Sequence, residues 1–244
     1  PLFSYTTITL PAITTNYEDL YVIDFNNDSR LDFLVSSLMW PPTIPATEAP
    51  IQALQNNALL NFSLTNPFVG LNSTVHPRDY TVGDFNSDGK SDIFIADHGT
   101  DVNPFPGQAN KLFIQNSSGQ IVDTPSNIPS IPDFSHHTSS ADIDNDGDLE
   151  KVARFAGGTQ QVPYLEVLNG DKEEFFGSDR CGGGSPSSMN IVSINNKNYI
   201  YVSIIEGIQK QCGISGYLTE YISGDLFGKE LCTIPLPNNS LKRD

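Results

Sequence analysis

The stretch Asp84-Phe85-Asn86-Ser87-Asp88-Gly89-Lys90-Ser91-Asp92 carries oxygen-bearing side chains at its first, third, fifth and ninth positions, and a glycine at its sixth. Glycine there permits a sharp turn at positive φ, so the chain can curl its oxygens around one point. A hard cation such as Ca2+ takes six to eight oxygens at about 2.3–2.6 Å, from carboxylates, amide carbonyls and backbone carbonyls. Asp84, Asn86, Asp88 and Asp92 are candidate side-chain ligands, and Lys90 offers its backbone carbonyl. Asp, Asn, Ser and Gly gather in any turn, so a single copy would decide little.

The pattern recurs. Asp24-Phe25-Asn26-Asn27-Asp28-Ser29-Arg30-Leu31-Asp32 and Asp142-Ile143-Asp144-Asn145-Asp146-Gly147-Asp148-Leu149-Glu150 repeat it, with starts 60 and 58 residues apart. The candidate ligands are Asp24, Asn26, Asp28 and Asp32 with the Arg30 carbonyl, then Asp142, Asp144, Asp146 and Glu150 with the Asp148 carbonyl. Three copies at one period point to about three bound Ca2+. Ser29 stands where the other loops have glycine, which predicts weaker binding there. The third loop has the most carboxylates and predicts the tightest.

These loops are not EF-hands, which need a bidentate Glu at position twelve and a helix on each side. Position twelve here is Val35, Ile95 and Ala153. The flanks, Tyr21-Val22-Ile23 with Phe33-Leu34-Val35 and Tyr80-Thr81-Val82 with Ile93-Phe94-Ile95, are β-branched and aromatic. Each loop therefore reads as strand–loop–strand.

In these loops and flanks the chain resembles the FG-GAP and VCBS repeat families, calcium-containing β-propeller blades also found in integrin α-subunit head domains. The resemblance runs along nearly the whole chain and is most specific in the three loops. It implies a propeller with calcium held by the matching loop residues, and it leaves the function open between adhesins, lectins and non-catalytic parts of enzymes.

The expected fold is all-β and β-propeller-like, with about four repeats of roughly 58–60 residues, each an antiparallel four-stranded blade. The repeats fall at about 20–78, 79–137, 138–190 and 191–237 of a single domain or a segment of a larger propeller. Ile191–Val202 can be laid over the earlier hairpins but has lost the carboxylates, so the fourth repeat should hold no metal. Residues 1–19 contain a further run of β-formers, Leu2–Leu10. That strand is surplus: it closes the ring or is donated to another molecule. Ala53–Leu60 is too short to read as a helix.

Composition narrows the function. A formal charge of −16 argues against nucleic acid or an anionic membrane as partner. Three Ca2+ would cancel six units and leave about −10. At 38% hydrophobic and 10% aromatic the chain is globular. No apolar run reaches 18 residues, so no membrane span is expected. The start at Pro1, without an initiator methionine, reads as a processed or excised form. Of the three cysteines, Cys181 and Cys212 are the first candidates for a disulfide. Asn61, Asn72 and Asn116 are candidate glycosylation sites in N-x-Ser/Thr sequons. Calcium loops of this kind suit a compartment with millimolar calcium, which places the protein outside the cell or on its surface.

No G-x-S-x-G elbow, H-E-x-x-H or P-loop is present. His98, between Asp97 and Asp101, reads as a hydrogen-bonded turn histidine ahead of a catalytic or metal-binding one. His136 and His137 read as shaping the start of a strand. Trp40 reads as packing under its own loop, with sugar stacking as the alternative. The leading expectation is a non-catalytic adhesion or ligand-binding module whose partner is a glycan or glycoprotein. The alternative is a filament or surface-layer subunit that pairs with copies of itself by strand exchange. An enzyme accessory domain stands third.

Overall fold

A computed structural model describes residues 7–13, 16–58, 60–128, 130, 132, 134–141 and 149, and beyond them the backbone of the strands from residue 150 onward. The first part of the chain forms β1 (Tyr17–Ile23), β2 (Asp32–Ser37), β3 (Ala49–Pro50), β4 (Gln52–Ala58) and β5 (Asn61–Thr65). Next come β6 (Phe68–Val69), β7 (Ser73–Thr74), β8 (Pro77–Gly83), β9 (Asp92–Asp97), β10 (Lys111–Gln115) and β11 (Ile121–Asp123). The remainder supplies β12 (Ser135–Ala141), β13 (Glu150–Phe155), β14 (Leu165–Asn169), β15 (Lys172–Phe176), β16 (Pro186–Ile194), β17 (Lys197–Ile204) and β18 (Leu218–Ile222). A single 3-10 turn, Pro125–Asn127, is the one helical element among the described residues.

The chain is thus all-β, as the β-branched flanks of the loops require. Sheets one and three are four-stranded antiparallel meanders, ordered β1-β2-β4-β5 and β12-β13-β14-β15. The first strands of successive sheets lie side by side, β1 against β8, β8 against β12 and β12 against β16. Two sheets depart from the expected four-stranded antiparallel blade. The second has five strands, because β6 adds parallel to β11. The fourth shows three, with β18 parallel to β17. The meander rule holds only while consecutive strands are joined by tight hairpins; a strand returning after a longer excursion can approach from either direction.

Between sheets one and two lies the main core: Tyr21, Ile23, Phe25, Leu34, Ile51 and Ala53 from one side, Ile93, Ile95, Phe113 and Ile121 from the other. Tyr21 packs on Tyr80 with ring centres 4.2 Å apart. Residues 7–13 run without forming a strand and lay Ile8, Leu10 and Ile13 against Val35, Leu54 and Phe62 of the first sheet. Ile8, Leu10 and Ile13 are thereby partly buried against this chain's own first sheet, while residues 2–6 of the expected surplus strand lie outside the described residues. Most of Ala53–Leu60, too short to read as a helix, lies in β4.

Candidate functional site: two matched oxygen loops and a histidine cleft

The first loop closes the β1–β2 hairpin and the second closes β8–β9. Their registers match: Ile23 pairs with Asp32 and Gly83 with Asp92. In each, the ninth loop residue is the first residue of the returning strand. The phenylalanine at position two anchors the loop from below. Phe25 is buried in the main core, and Phe85 among Phe94, Leu112 and Ile128. Burying a phenylalanine contributes about 2–3 kcal/mol, enough to hold a polar loop down on the sheet.

Above these anchors the two loops share one hydrogen-bond plan. The Asp24 carboxylate accepts from the amides of Asp28 (3.1 Å) and Ser29 (2.8 Å), as Asp84 does from Asp88 (3.0 Å) and Gly89 (2.8 Å). Asn26 and Asn86 each accept from the amide two residues on, at 3.1 Å. Asp28 accepts from the Arg30 amide and Asp88 from the Lys90 amide. These Asx-type turns fix the oxygens without using both lone pairs of each. Backbone dihedrals match as well. Position four is left-handed in both loops (Asn27 φ 57°, Ser87 φ 59°), and so is position six (Ser29 φ 64°, Gly89 φ 81°).

Position nine has a second role that the spacing alone did not reveal. Asp92 is fully buried, and its two carboxylate oxygens accept from the Phe85 amide (3.0 Å) and the Gln115 amide (2.8 Å). It latches the loop to β10. Asp32 is fully buried too and accepts from the Asn56 amide at 2.7 Å, while its Oδ2 has no hydrogen-bond partner among the described residues. Burial pushes both carboxyls up to about 6, partly offset by the backbone amides. The carboxylates of Asp24 and Asp28, or of Asp84 and Asp88, push in the same direction. At position seven the side chain folds back. Arg30 pairs with Asp28, and Lys90 reaches Asp88 at 2.6 Å and holds its carboxyl below the usual range. Gln115 joins the loops, since its side-chain oxygen accepts from the Asn27 side-chain amide and its side-chain nitrogen donates to the Asp24 carbonyl at 3.3 Å.

A fit to a hard cation can be judged from this donor set. Each loop offers only oxygen, its first and fifth carboxylates add to the upward push on Asp32 or Asp92, and Asp32 carries a buried oxygen without a partner among the described residues. That is the environment a divalent ion relieves. Asp24, Asn26, Asp28, Asp32 and the Arg30 carbonyl would hold the first ion. Asp84, Asn86, Asp88, Asp92 and the Lys90 carbonyl would hold the second. Asp142, Asp144, Asp146 and Asp148 of the third loop lie outside the described residues, as do Cys181 and Cys212; Glu150 begins β13. Among the glycosylation candidates, Asn61 is exposed, whereas Asn72 donates to the Ile51 carbonyl and Asn116 accepts from Ser118 and Gln120 within its own turn.

At the end of the β8–β9 hairpin away from the loop, a cleft opens beside a histidine cluster. Trp40 is 67% exposed and flanks the cleft with Met39, Thr43 and Thr47; His76 and Asp101 line its other side. Trp40 therefore does not pack under its own loop. His98 does sit in a turn with its Nδ1 3.4 Å from the Gly99 carbonyl, but it also belongs to a ring cluster. Its ring stacks on His136 (4.6 Å, 6°), meets Phe134 edge-on at 4.2 Å and stands 5.3 Å from His76. Burial holds His98 and His136 down at about 3, and Arg78 adds to the effect, so both are neutral at pH 7. The backbone beneath is fixed by Asp97, which is fully buried and accepts from the amides of Val75, His76 and Gly99. Gly99 (φ 80°) is required here, because a Cβ would lie 2.4 Å from the Gly107 carbonyl carbon.

Residues 84–153 match the family model described as the FG-GAP-like repeat. That segment of the chain is an FG-GAP-type repeat; it begins at Asp84, the first residue of the second loop, and spans the third. A search of curated proteins found no match. Among the described residues, no helix is long and apolar enough to cross a membrane.

Proposed function

We propose that this chain is a calcium-dependent β-propeller-type module of an extracellular or cell-surface protein, which binds a glycan or glycoprotein without catalysing a reaction. The observation that carries the reading is the identity of the two loops. Residues 60 positions apart in sequence adopt the same turns, the same left-handed positions and the same inward carboxylates. Calcium's part in this reading is structural: it offsets the repulsion among the loop carboxylates and so stiffens the hairpins. The side-by-side first strands of the four sheets suit a propeller, in which such strands line the central axis.

The ligand-binding part falls to the cleft at the opposite end of the β8–β9 hairpin. An exposed indole face beside threonine hydroxyls and a carboxylate is the chemistry that holds a sugar, stacking against its C–H face and hydrogen bonding to its hydroxyls. The test is a glycan array probed with the full chain in calcium, followed by calorimetry on the sugars retained. Trp40→Ala should abolish binding without lowering the unfolding temperature, since Trp40 is exposed. Sugar binding that survives Trp40→Ala would remove the cleft from the reading, and a chain that binds no sugar or glycoprotein would overturn it.

A further inference from the structure

We propose that His76, His98 and Asp101 form a binding site for a divalent transition-metal ion of the Zn2+ type, separate from the oxygen loops, with its open coordination position facing the Trp40 cleft. One potential ligand atom from each of the three residues lies within 4.8 Å of the others. The individual separations carry the argument. His76 Nδ1 is 3.5 Å from Asp101 Oδ2, and His98 Nδ1 is 3.6 Å from Asp101 Oδ1. These distances are too long for hydrogen bonds. They run to different oxygens of the Asp101 carboxylate, and each is close to the spacing of neighbouring donors in a tetrahedral shell, where bonds of about 2.0–2.1 Å place ligands about 3.3 Å apart, so one ion would draw the two imidazoles together about that carboxylate. Three polar groups thus converge on one point without satisfying one another.

The surroundings are arranged as such a site needs. A ligating histidine commonly presents its second ring nitrogen to a carboxylate, which fixes the tautomer and leaves the other nitrogen's lone pair for the metal. Glu18 Oε1 stands 3.6 Å from His76 Nε2, the ring nitrogen away from Asp101, which is longer than a hydrogen bond but places a carboxylate where that nitrogen's proton would be held. His98, 3% exposed, is clamped between the His136 ring and Phe134. The His98 amide donates to the His76 carbonyl at 2.9 Å, and Asp97 holds the amides of His76 and Gly99, so both imidazoles stand on a fixed backbone. Arg78 Nη2 approaches Asp101 Oδ2 at 3.4 Å, and His98 Nδ1 lies 3.4 Å from the Gly99 carbonyl. Metal binding would displace the first contact and require the His98 tautomer that carries its proton on Nε2, which leaves the Nδ1 lone pair for the ion in place of the Gly99 contact.

Two imidazoles and one carboxylate favour Zn2+, Co2+ or Ni2+ over Ca2+, which prefers an all-oxygen shell. The site is therefore distinguishable from the loops in saturating calcium. Three protein ligands leave one position for water or for a donor from whatever occupies the cleft, because His76 and Asp101 both line it.

The experiment is calorimetric titration of the full chain with ZnCl2 in excess calcium, with Co2+ absorption as a second readout. The expected result is one equivalent of Zn2+ in the wild type and visible d–d bands of four-coordinate Co2+. Affinity should fall by at least about 100-fold in Asp101→Asn and in His76→Gln. Asp101 is partly exposed, so its variant should retain the wild-type unfolding temperature. Glu18→Gln should lower affinity by about 10–100-fold while leaving the shape of the cobalt bands intact, as expected of a positioning residue. His137→Gln should change nothing. A wild type that takes up no Zn2+, or uptake undiminished in Asp101→Asn and His76→Gln, would overturn the proposal.

Discussion

Loop position six offers a matched pair of substitutions with opposite expected signs. Gly89 sits at φ 81° and a Cβ there would have nothing within 4 Å, so the cost of Gly89→Ala is conformational alone. The left-handed region costs a residue with a Cβ about 1–2 kcal/mol. Restricting the unfolded chain returns about 0.5–1 kcal/mol. Gly89→Ala should therefore destabilise by about 1 kcal/mol. Ser29 already occupies the same conformation in the first loop, at φ 64°. Ser29→Gly relieves it and should stabilise by about 0.5–1 kcal/mol, a rise of about 2–4 °C in unfolding temperature per kcal/mol for a chain of this size. Urea unfolding in excess chelator reads both effects without a contribution from metal. The loops share no backbone, so the double variant should lie near the sum. A destabilising Ser29→Gly, with Gly89→Ala at wild-type stability, would refute the claim that both loops use one backbone.

Three further outcomes follow from the buried groups. Asp92→Ala leaves the Phe85 and Gln115 amides without their buried acceptor and should cost about 2–6 kcal/mol by chemical denaturation; a loss below about 1 kcal/mol would mean the latch is absent. Gln115→Ala removes two side-chain bonds between the first loop and β10 and should cost about 1–3 kcal/mol. It should also weaken calcium binding at the first loop more than at the second, read by calorimetry in Asp84→Asn and Asp24→Asn backgrounds; equal effects would refute the link. His136 is held at about 3 in the folded chain against an ordinary value of 6.5, so the unfolded chain binds the extra proton between these values. Stability from this group is complete above about 6.5 and is lost as pH falls toward 3. Asp32 and Asp92, raised to about 6, act in the opposite sense, losing stability as pH rises from about 4 through 6. Comparing His136→Phe with wild type in chelator cancels them. The wild type should lose about 2 kcal/mol more between pH 7 and pH 5; parallel pH profiles would contradict the buried neutral imidazole.

What the sequence made legible was local. Asp24 to Asp32 and Asp84 to Asp92 announce their turns because Asn, Asp and Gly choose backbone conformations with their own side chains, and Tyr21-Val22-Ile23 or Ile93-Phe94-Ile95 announce strands by β-branching. The structure places those strands at β1 and β9, and the candidate ligand oxygens of the first two loops on the hairpins between strands. The histidine cleft was not legible, because it is a product of register. His76 precedes β8, His98 follows β9, and only the pairing of Pro77 with Asp97 brings them together, with His136 arriving from β12. Trp40 was misread for the same reason: nothing local shows that the turn after β2 leaves an indole uncovered. Asp92's second role as a latch required knowing that β10 lies beside the loop. A signal was available in hindsight: Asp97, which ends a fully buried strand, and His98 and Asp101 just after it are too polar for that place unless they serve one another or the backbone.

The most direct test of the central claim is thermal unfolding of the full chain in millimolar calcium and again in excess chelator. Each occupied loop should contribute about 2.7 kcal/mol when calcium stands at 100 times its dissociation constant. The unfolding temperature should therefore fall by several degrees on chelation, recover when calcium is restored, and respond less in the Asp24→Asn, Asp84→Asn double variant. Identical unfolding in calcium and in chelator would contradict the reading of these loops as metal sites.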